Sequence, residues 1–555
     1  MIFSDLATLA PFAAAILVAG AVLIVDFVWP GRKVAALLTT FIGLAVIAAL
    51  TVAAGQSGST AFNGTYRVDA LTTFLDLLFV AIVALTMAFA PDYLDERGLP
   101  VAEFSAVLLF AMSGAMLIAA SADLIVLFLG LELMVLPGYL LAGYHKTDGF
   151  STEGAIKYFL LGSFSSAIFL FGIAFIFGMT GTTRIDGVYG ALEAVATGKG
   201  PFNPGLGLGL AFLMTGVAFK IAAVPFHYWT PDAYQGSPTP VTGYLSVGPK
   251  VGAFAVIIRL FAGALLPMAE QWNIVIMVLA AFTMTLGNLV ALTQDNVKRM
   301  LAYSSIAHTG YMLVGFAAFA AGQLQGMEGL LYYGAAYAFM NLGAFAVIAA
   351  IQRRTGITSN LSTFAGLVRR EPALAWLMTL FLLSLTGIPP TAGFFGKFYV
   401  ILAAVQAGEA NPWMYALAIL AVMNAAAAAF YYLRVVVYMF MRDPDTEVAV
   451  ASHSRLVWTG LGVTTVMTIA LGLFPGILLD IVTNAAKIFQ QSVASRRARS
   501  KSPASAARHV PAPGRASYSR RAGRGRPGEV ITALGLELLL GVSAGWRRGR
   551  CSRSW

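Results

Sequence analysis

Residues 214–259, MTGVAFKIAAVPFHYWTPDAYQGSPTPVTGYLSVGPKVGAFAVIIR, decide the fold, because they put Lys220 and Lys250 inside apolar runs that otherwise read as membrane helices. A lysine at the centre of a spanning helix costs about 2.5–3.5 kcal/mol on the insertion scale, so the two together ask for roughly 5–7 kcal/mol unless they face protein or water. Each stands beside a helix breaker. Pro225 follows Lys220 by little more than a turn and Pro249 directly precedes Lys250, which is expected to leave backbone carbonyls without N–H partners. Interrupted helices that carry buried charge belong to transporters.

The surrounding chain has the matching composition. Of 555 residues 58% are hydrophobic and 11% charged, with a mean hydropathy of +0.78, far too few charges to cover a soluble globule of this size. One cysteine, Cys551, excludes a disulfide within the chain, and with five histidines and no CxxC there is no iron–sulfur or zinc signature. Electron-carrying cofactors are therefore not expected in this chain.

Hydropathy and Gly/Pro punctuation give fourteen apolar segments, at about 6–28, 34–54, 70–90, 104–120, 123–143, 154–178, 208–228, 239–265, 273–293, 299–320, 328–351, 372–406, 412–441 and 456–483. Strand signals are nearly absent, so the expected architecture is an all-α polytopic membrane protein of about 14 spans. Connections after odd-numbered segments hold Arg32, Lys33, Arg97, Lys146, Lys298, Arg299, Arg353, Arg354, Arg369, Arg370, Arg442 and Arg455; those after even-numbered segments hold Arg67, Arg184 and Lys199. The positive-inside rule then makes the odd connections cytoplasmic and puts both termini outside.

The tail is a different material. Residues 491–555 carry 13 Arg and one Lys against Glu529 and Glu537, a net of +12 out of the chain's +10, which leaves −2 for residues 1–490. The segment reads as a basic, disordered or aberrant terminus. GRGRPG at 523–528 matches GxGxxG, but no strand precedes it and it contains arginines and a proline, so it is no dinucleotide site.

Glu132 is the single charged side chain in Leu124–Leu141, and a carboxylate there needs a cation. Burial disfavours an ammonium and a neighbouring carboxylate favours it, so a buried lysine can be switched by the distance of its partner, as a proton relay requires. The bland alternative for Lys220 and Lys250 is that they only donate to carbonyls freed by Pro225 and Pro249. Lys157, near the start of the sixth segment, reads equally as a snorkelling anchor. Residues 384–397, SLTGIPPTAGFFGK, interrupt the twelfth segment and place Lys397 just past the break. This echoes Gly216, Lys220 and Pro225 of the seventh, so segments 4–8 and 9–13 are expected to be two inverted five-helix repeats with helices 7 and 12 broken. His227 and His308 have the chemistry to pass protons, or simply to cap a helix end. Asn288, Asn341 and Asn424 read as helix-to-helix glue.

These residues sit in wording that carries a family. MVLPGYLLAGYHK, STEGAIKYFLLGSFSSAIFLFG, FKIAAVPFHYWTPDAYQGSPTPVTGYLSVGPK and SLTGIPPTAGFFGK resemble the N-type subunits of bacterial NADH:quinone oxidoreductase (respiratory complex I) over roughly residues 1–485. They resemble, more widely, the antiporter-like L and M subunits and the Mrp antiporters. DAYQGSPTPVTGYLS, Lys397 in place of a glutamate and the lack of a long lateral helix favour the N type. The resemblance implies three parts before the tail: spans 1–3 in residues 1–103, a proton-translocating core in 104–441 and a last span in 442–490. It implies that Glu132 is the coupling glutamate, Lys220 its partner, Lys250 the central relay and Lys397 the terminal one, with Lys157, His227 and His308 on a hydrated axis. NADH, FMN, iron–sulfur clusters and quinone would sit on partner subunits. The neighbours would be the M-type subunit, the small K- and J-type subunits and the lipid of a bacterial cytoplasmic (inner) membrane, with the termini periplasmic and no nucleic acid. An Mrp-type antiporter subunit, or a structural subunit whose charges only pair, are the competing functions. Because the tail holds almost none of the apolar core, deleting 491–555 is expected to leave insertion and assembly intact. Quinone-linked NADH oxidation in membranes of the truncated strain checks this, and loss of assembly would make the tail a docking element.

Overall fold

The computed structural model describes residues 2–198, 203–352, 358–443 and 453–490. In order, the helices are α1 (Ile2–Val28), α2 (Lys33–Ser57), α3 (Ala70–Glu96), α4 (Val101–Ala120), α5 (Leu124–Ala142), α6 (Gly149–Thr180), α7 (Ile185–Ala196), α8 (Pro204–Lys220), α9 (Trp229–Gly236), α10 (Thr239–Ile257), α11 (Ala269–Ala291), α12 (Val297–Ala320), α13 (Leu324–Ile351), α14 (Leu367–Arg370), α15 (Pro372–Thr386), α16 (Ala392–Ala407), α17 (Trp413–Met441), α18 (Arg455–Leu473) and α19 (Pro475–Ala486). A two-residue hairpin, Thr60–Ala61 with Tyr66–Arg67, interrupts the helical pattern before α3. The basic tail, 491–555, lies outside the described residues.

Eleven of the described helices or continuous helical stretches are long and apolar enough to cross a membrane. The three remaining segments of the expected fourteen fall short for visible reasons. The seventh stops short, its helix α8 ending at Lys220 before the Pro225 break, and the twelfth is split into α15 and α16, while α12 carries Ser304, Ser305, His308 and Thr309 in mid-helix. Its polar groups are tolerated because nearly all of α12 is buried in protein. All of α10 is buried as well, whereas Phe164 and Phe171 of α6 and Ile419 and Phe430 of α17 stand outward toward lipid. Lys250 thus lies on a helix buried throughout, whereas Lys220 on α8 and Lys397 on α16 are buried on helices whose other faces, Leu208 and Phe398 among them, are exposed.

The connections sort onto two ends. Tyr66 pairs with Ser121, and Asp123 with Arg184, all from connections after even spans. At the other end Asn296 pairs with Asn360, Lys33 with Asp95, and the Ser454 N–H with Asp92, all from connections after odd spans. The helix α8 starts from the first end and α15 from the second, so the two broken helices run in opposite directions, as inverted repeats require.

One expectation fails. Pro249 does not interrupt the eighth span: α10 runs through it and continues as a π-helix over Ile258–Ala264. The carbonyl that Pro249 leaves without a partner is that of Leu245, and the Tyr234 hydroxyl donates to it at 3.2 Å. The break after α8 is real, and the Ile221 carbonyl orphaned by Pro225 accepts from Thr309 Oγ1 at 3.0 Å. In the twelfth span the orphans of Pro389 and Pro390, the Leu385 and Thr386 carbonyls, accept from Lys397 Nζ at 2.9 and 2.8 Å. Gly387 takes the left-handed turn between the half-helices at φ +93°, and at Gly393 a side chain would drive into the Ser384 carbonyl.

Candidate functional site

The helix α12 is the spine of the site. Ser304, Ser305, His308 and Thr309 recur at i, i+1, i+4 and i+5, which places them on one face of the helix. Thr309 meets the break after α8 through the Ile221 carbonyl. Ser305 receives Lys250, whose Nζ donates to both its carbonyl and its Oγ at 2.5 Å and stands 5.8 Å over the Tyr337 ring. His308 Nδ1 is 2.7 Å from the Tyr333 hydroxyl and its Nε2 3.2 Å from that of Tyr432, which also bonds Ser304. Beyond it Lys397 Nζ lies 4.9 Å above the Tyr311 ring. His308 is within electrostatic reach of both Lys250 and Lys397, so the three form one row. Lys250, His308 and Lys397 are 3%, 1% and 6% exposed, which makes the row inaccessible to bulk water in this conformation.

The hydrogen-bond count leaves room for chemistry. An ammonium has three N–H groups, and Lys250 and Lys397 each use two on fixed acceptors. Each lysine can lose its third proton and, as a neutral amine, keep both existing bonds. Proton transfer therefore need not tear the helix break open.

Lys220 ends α8 and donates to Ser166 Oγ at 2.8 Å, with the Gly162 carbonyl at 3.4 Å and the Tyr139 hydroxyl at 3.5 Å. Neither Lys220 nor Lys250 fills the gap beside its proline; Thr309 and Tyr234 do. Glu132 acts on Lys220 electrostatically, but among the described residues no ion pair joins them within 4.0 Å, and Glu132 Oε1 is buried without a hydrogen-bond partner. The pair is poised apart.

Two expected members stand elsewhere. Lys157 lies at the end that carries the basic connections, bonded to Glu153 at 2.6 Å and Asp232 at 2.8 Å, and Asp232 is shared with Arg299. With 43% of its side chain exposed, it is an anchor at the edge of the site. His227 is buried in the break after α8, stacks on Tyr228 and bonds back to the Pro225 backbone. Asn288 and Asn424 bond each other at 3.3 Å, and Asn341 bonds Ser246 at 2.6 Å, so all three tie helices together. Sequence reasoning missed Ser305, Tyr333, Tyr337 and Tyr432. A polar stripe at helical spacing in SSIAHTGY, and Tyr333 and Tyr337 one turn apart, were the available signals.

Comparison with known proteins follows the same lines. Residues 121–447 match the family model described as NADH:quinone oxidoreductase/Mrp antiporter, TM. NADH-quinone oxidoreductase subunit N of Trichlorobacter lovleyi is 42% identical over 427 residues, which cover 77% of this chain and 85% of that one. A chain of respiratory complex I from Thermus thermophilus superposes with a TM-score of 0.69 at 32% identity, over 85% of this chain and 98% of that chain. A chain of the Mrp complex from Dietzia shares the fold, with a TM-score of 0.74 at 22% identity over 89% of this chain and 99% of that chain.

Proposed function

The chain belongs to the NADH:quinone oxidoreductase/Mrp antiporter family, as an N-type subunit, and from that premise we propose that its buried row moves protons in the membrane arm of NADH:quinone oxidoreductase. Glu132 is the switch, Lys220 the base it controls, Lys250 and His308 the central carriers and Lys397 the terminal one. Electron transfer from NADH to quinone takes place on other subunits, and this chain holds no redox centre of its own. Its neighbours are the other membrane-arm subunits, the M-type and the small K- and J-type among them. The basic connections face the cytoplasm of a bacterium and the termini the periplasm.

The observation that carries this reading is the continuity of Lys250, Ser305, His308, Tyr333, Tyr432 and Lys397 along α12, each side chain buried in protein. Ion pairs that served only to hold helices together would be closed, and Glu132 and Lys220 are not. Moving Glu132 toward Lys220 holds the ammonium; moving it away leaves an uncompensated charge that sheds its proton onward. Glu132→Ala is therefore expected to assemble and to lose most quinone-linked proton pumping. Returning an acid one turn away, as Glu132→Ala with Phe128→Glu, is expected to recover part of it, since only proximity matters. Near-normal pumping in the Ala variant alone refutes the switch.

The shared fold of the Mrp chain supports a second reading, a cation/proton antiporter subunit. Purification separates the two: this chain is expected to leave the membrane with flavin- and cluster-bearing subunits that oxidise NADH, and isolation among antiporter chains without them favours the second.

A further inference from the structure

A second polar cluster lies at the far end of α10, where the connections after even spans gather, and the row does not use it. Asp76, in the second turn of α3, is 2% exposed, and its Oδ1 has no hydrogen-bond partner among the described residues. The charged groups facing it are Arg259, in the π-helix that continues α10, and Asp69 at the start of its own helix, and Asp76 in turn lies within electrostatic reach of the buried hydroxyl of Tyr66, from the hairpin. Arg259 is already committed. Its Nη1 and Nη2 pair with Asp69 at 2.7 and 2.8 Å, Nη2 also reaches Thr72 Oγ1 at 2.8 Å, and Nε and Nη2 hold the Ala119 carbonyl. One cation thus serves two carboxyls, and among the described residues Asp76 has no ion pair within 4.0 Å. A carboxylate so placed is costly to keep charged, and acids inside a membrane span are by default functional.

The Asp69–Arg259 side of the cluster borders a cavity. A cavity of about 530 Å³ is walled by Arg67, Asp69, Ser121, Asp186, Tyr189 and Arg259, so the Asp69–Arg259 pair is part of its lining. In the other direction α10 presents residues 251–258, VGAFAVII, between Arg259 and Lys250, a stretch of about 13 Å with no polar side chain. Asp76 stands behind that lining: the two charged groups that face it, Asp69 and Arg259, border the cavity, and along α10 no polar side chain leads from it toward the row.

We propose that Asp76 is the proton-exchanging carboxyl of a release station on the face away from the basic connections, discharging into the cavity beside Arg259. The protonated carboxyl loses H⁺ past the Asp69–Arg259 pair to water in the cavity, the Arg259 charge stabilises the carboxylate that forms, and one proton delivered from the row restores it when the conformation changes. No electron moves in this step. The proposal rests on the reading of the chain as a proton-translocating subunit.

The test uses the complete complex in sealed vesicles, with Asp76→Asn, which keeps the shape and cannot exchange a proton. The variant is expected to oxidise NADH normally with an artificial acceptor, to lose roughly a hundredfold in quinone-linked pumping, and to lose the parental dependence on pH at the cavity face. In the parental complex a hydrophobic carbodiimide, which attacks protonated buried carboxyls, is expected to modify Asp76 at acidic pH and less as pH rises at that face. Asp76→Asn pumping at the parental proton-to-electron ratio overturns the proposal. Should that variant fail to assemble, the labelling decides: no modification at any pH overturns it and pH-dependent modification supports it. If Glu132→Ala also pumps normally, the whole functional reading fails; if Glu132→Ala blocks pumping and Asp76→Asn does not, only the release station falls.

Discussion

A complex carrying Lys397→Arg is expected to assemble, to oxidise NADH at the parental rate with an acceptor that bypasses the membrane arm, and to lose roughly a hundredfold in quinone-linked proton pumping. The structure sharpens the reason. Lys397 Nζ holds the Leu385 and Thr386 carbonyls that Pro389 and Pro390 leave without partners, so it has a structural duty beside the proton passage proposed for it. A guanidinium has donors enough for both carbonyls and remains charged at every physiological pH, so arginine meets the first demand and fails the second. Lys397→Met fails both, and the comparison separates the roles: the Met variant is expected to assemble poorly where the Arg variant assembles well. Each charge moved against ~100 mV costs about 2.3 kcal/mol, so a blocked terminal carrier is expected to slow quinone reduction too, rather than let it run uncoupled. An Arg complex pumping at the parental proton-to-electron ratio removes Lys397 from the path and leaves it the two carbonyls.

The second large effect concerns stability. Arg259→Gln is expected to destabilise the fold by about 3–5 kcal/mol, the usual consequence of removing one partner of a buried ion pair. Arg259 ties the start of α3, through Asp69 and Thr72, to the end of α4, through the Ala119 carbonyl. Three elements lose their common tether, and Asp69 is left buried with its charge uncompensated. Burial pushes the Asp69 carboxyl up, but the Arg259 charge and the hydrogen bonds from Arg259 and Thr72 outweigh it and hold the group below the usual carboxylate range. A carboxyl lowered on folding stabilises the fold above its unfolded value, and that contribution is lost as pH falls through the folded one. The gap in thermal stability between parent and Arg259→Gln is thus expected to be full near neutral pH and to close only in strong acid. Equal melting of the two complexes at pH 7 excludes the tether.

How much of this was legible in the chain depends on the kind of fact. Lys220, Lys250, Lys397 and Glu132 stand out because a charge in an apolar run is a local anomaly, and the same runs carry the span count and the sidedness of the basic connections. The break after α8 and that after α15 were readable from Pro225 and from the Gly387 to Gly393 stretch. Pro249 misleads for a physical reason: a proline removes one N–H wherever it stands, but whether the helix breaks depends on what reaches the orphaned carbonyl. Here a tyrosine from the preceding half-helix does. The stripe of Ser304, Ser305 and His308 was in plain view, yet a polar stripe says nothing of its partners.

What the sequence by itself determined is therefore the inventory: an all-helical membrane chain, two broken spans of opposite direction, and the ionisable groups that must hide from lipid. Apolar length and buried charge are properties of short segments, and the bilayer tests them segment by segment. Tertiary structure alone decided the connections: that Lys250 meets Ser305, that Lys397 and not Lys250 holds the carbonyls beside its prolines, that Glu132 and Lys220 stand apart, and that Arg259 finds Asp69 190 positions away. Those contacts cross between helices, and a side chain's partner across an interface is set by how the helices pack, which the residue's own segment does not encode.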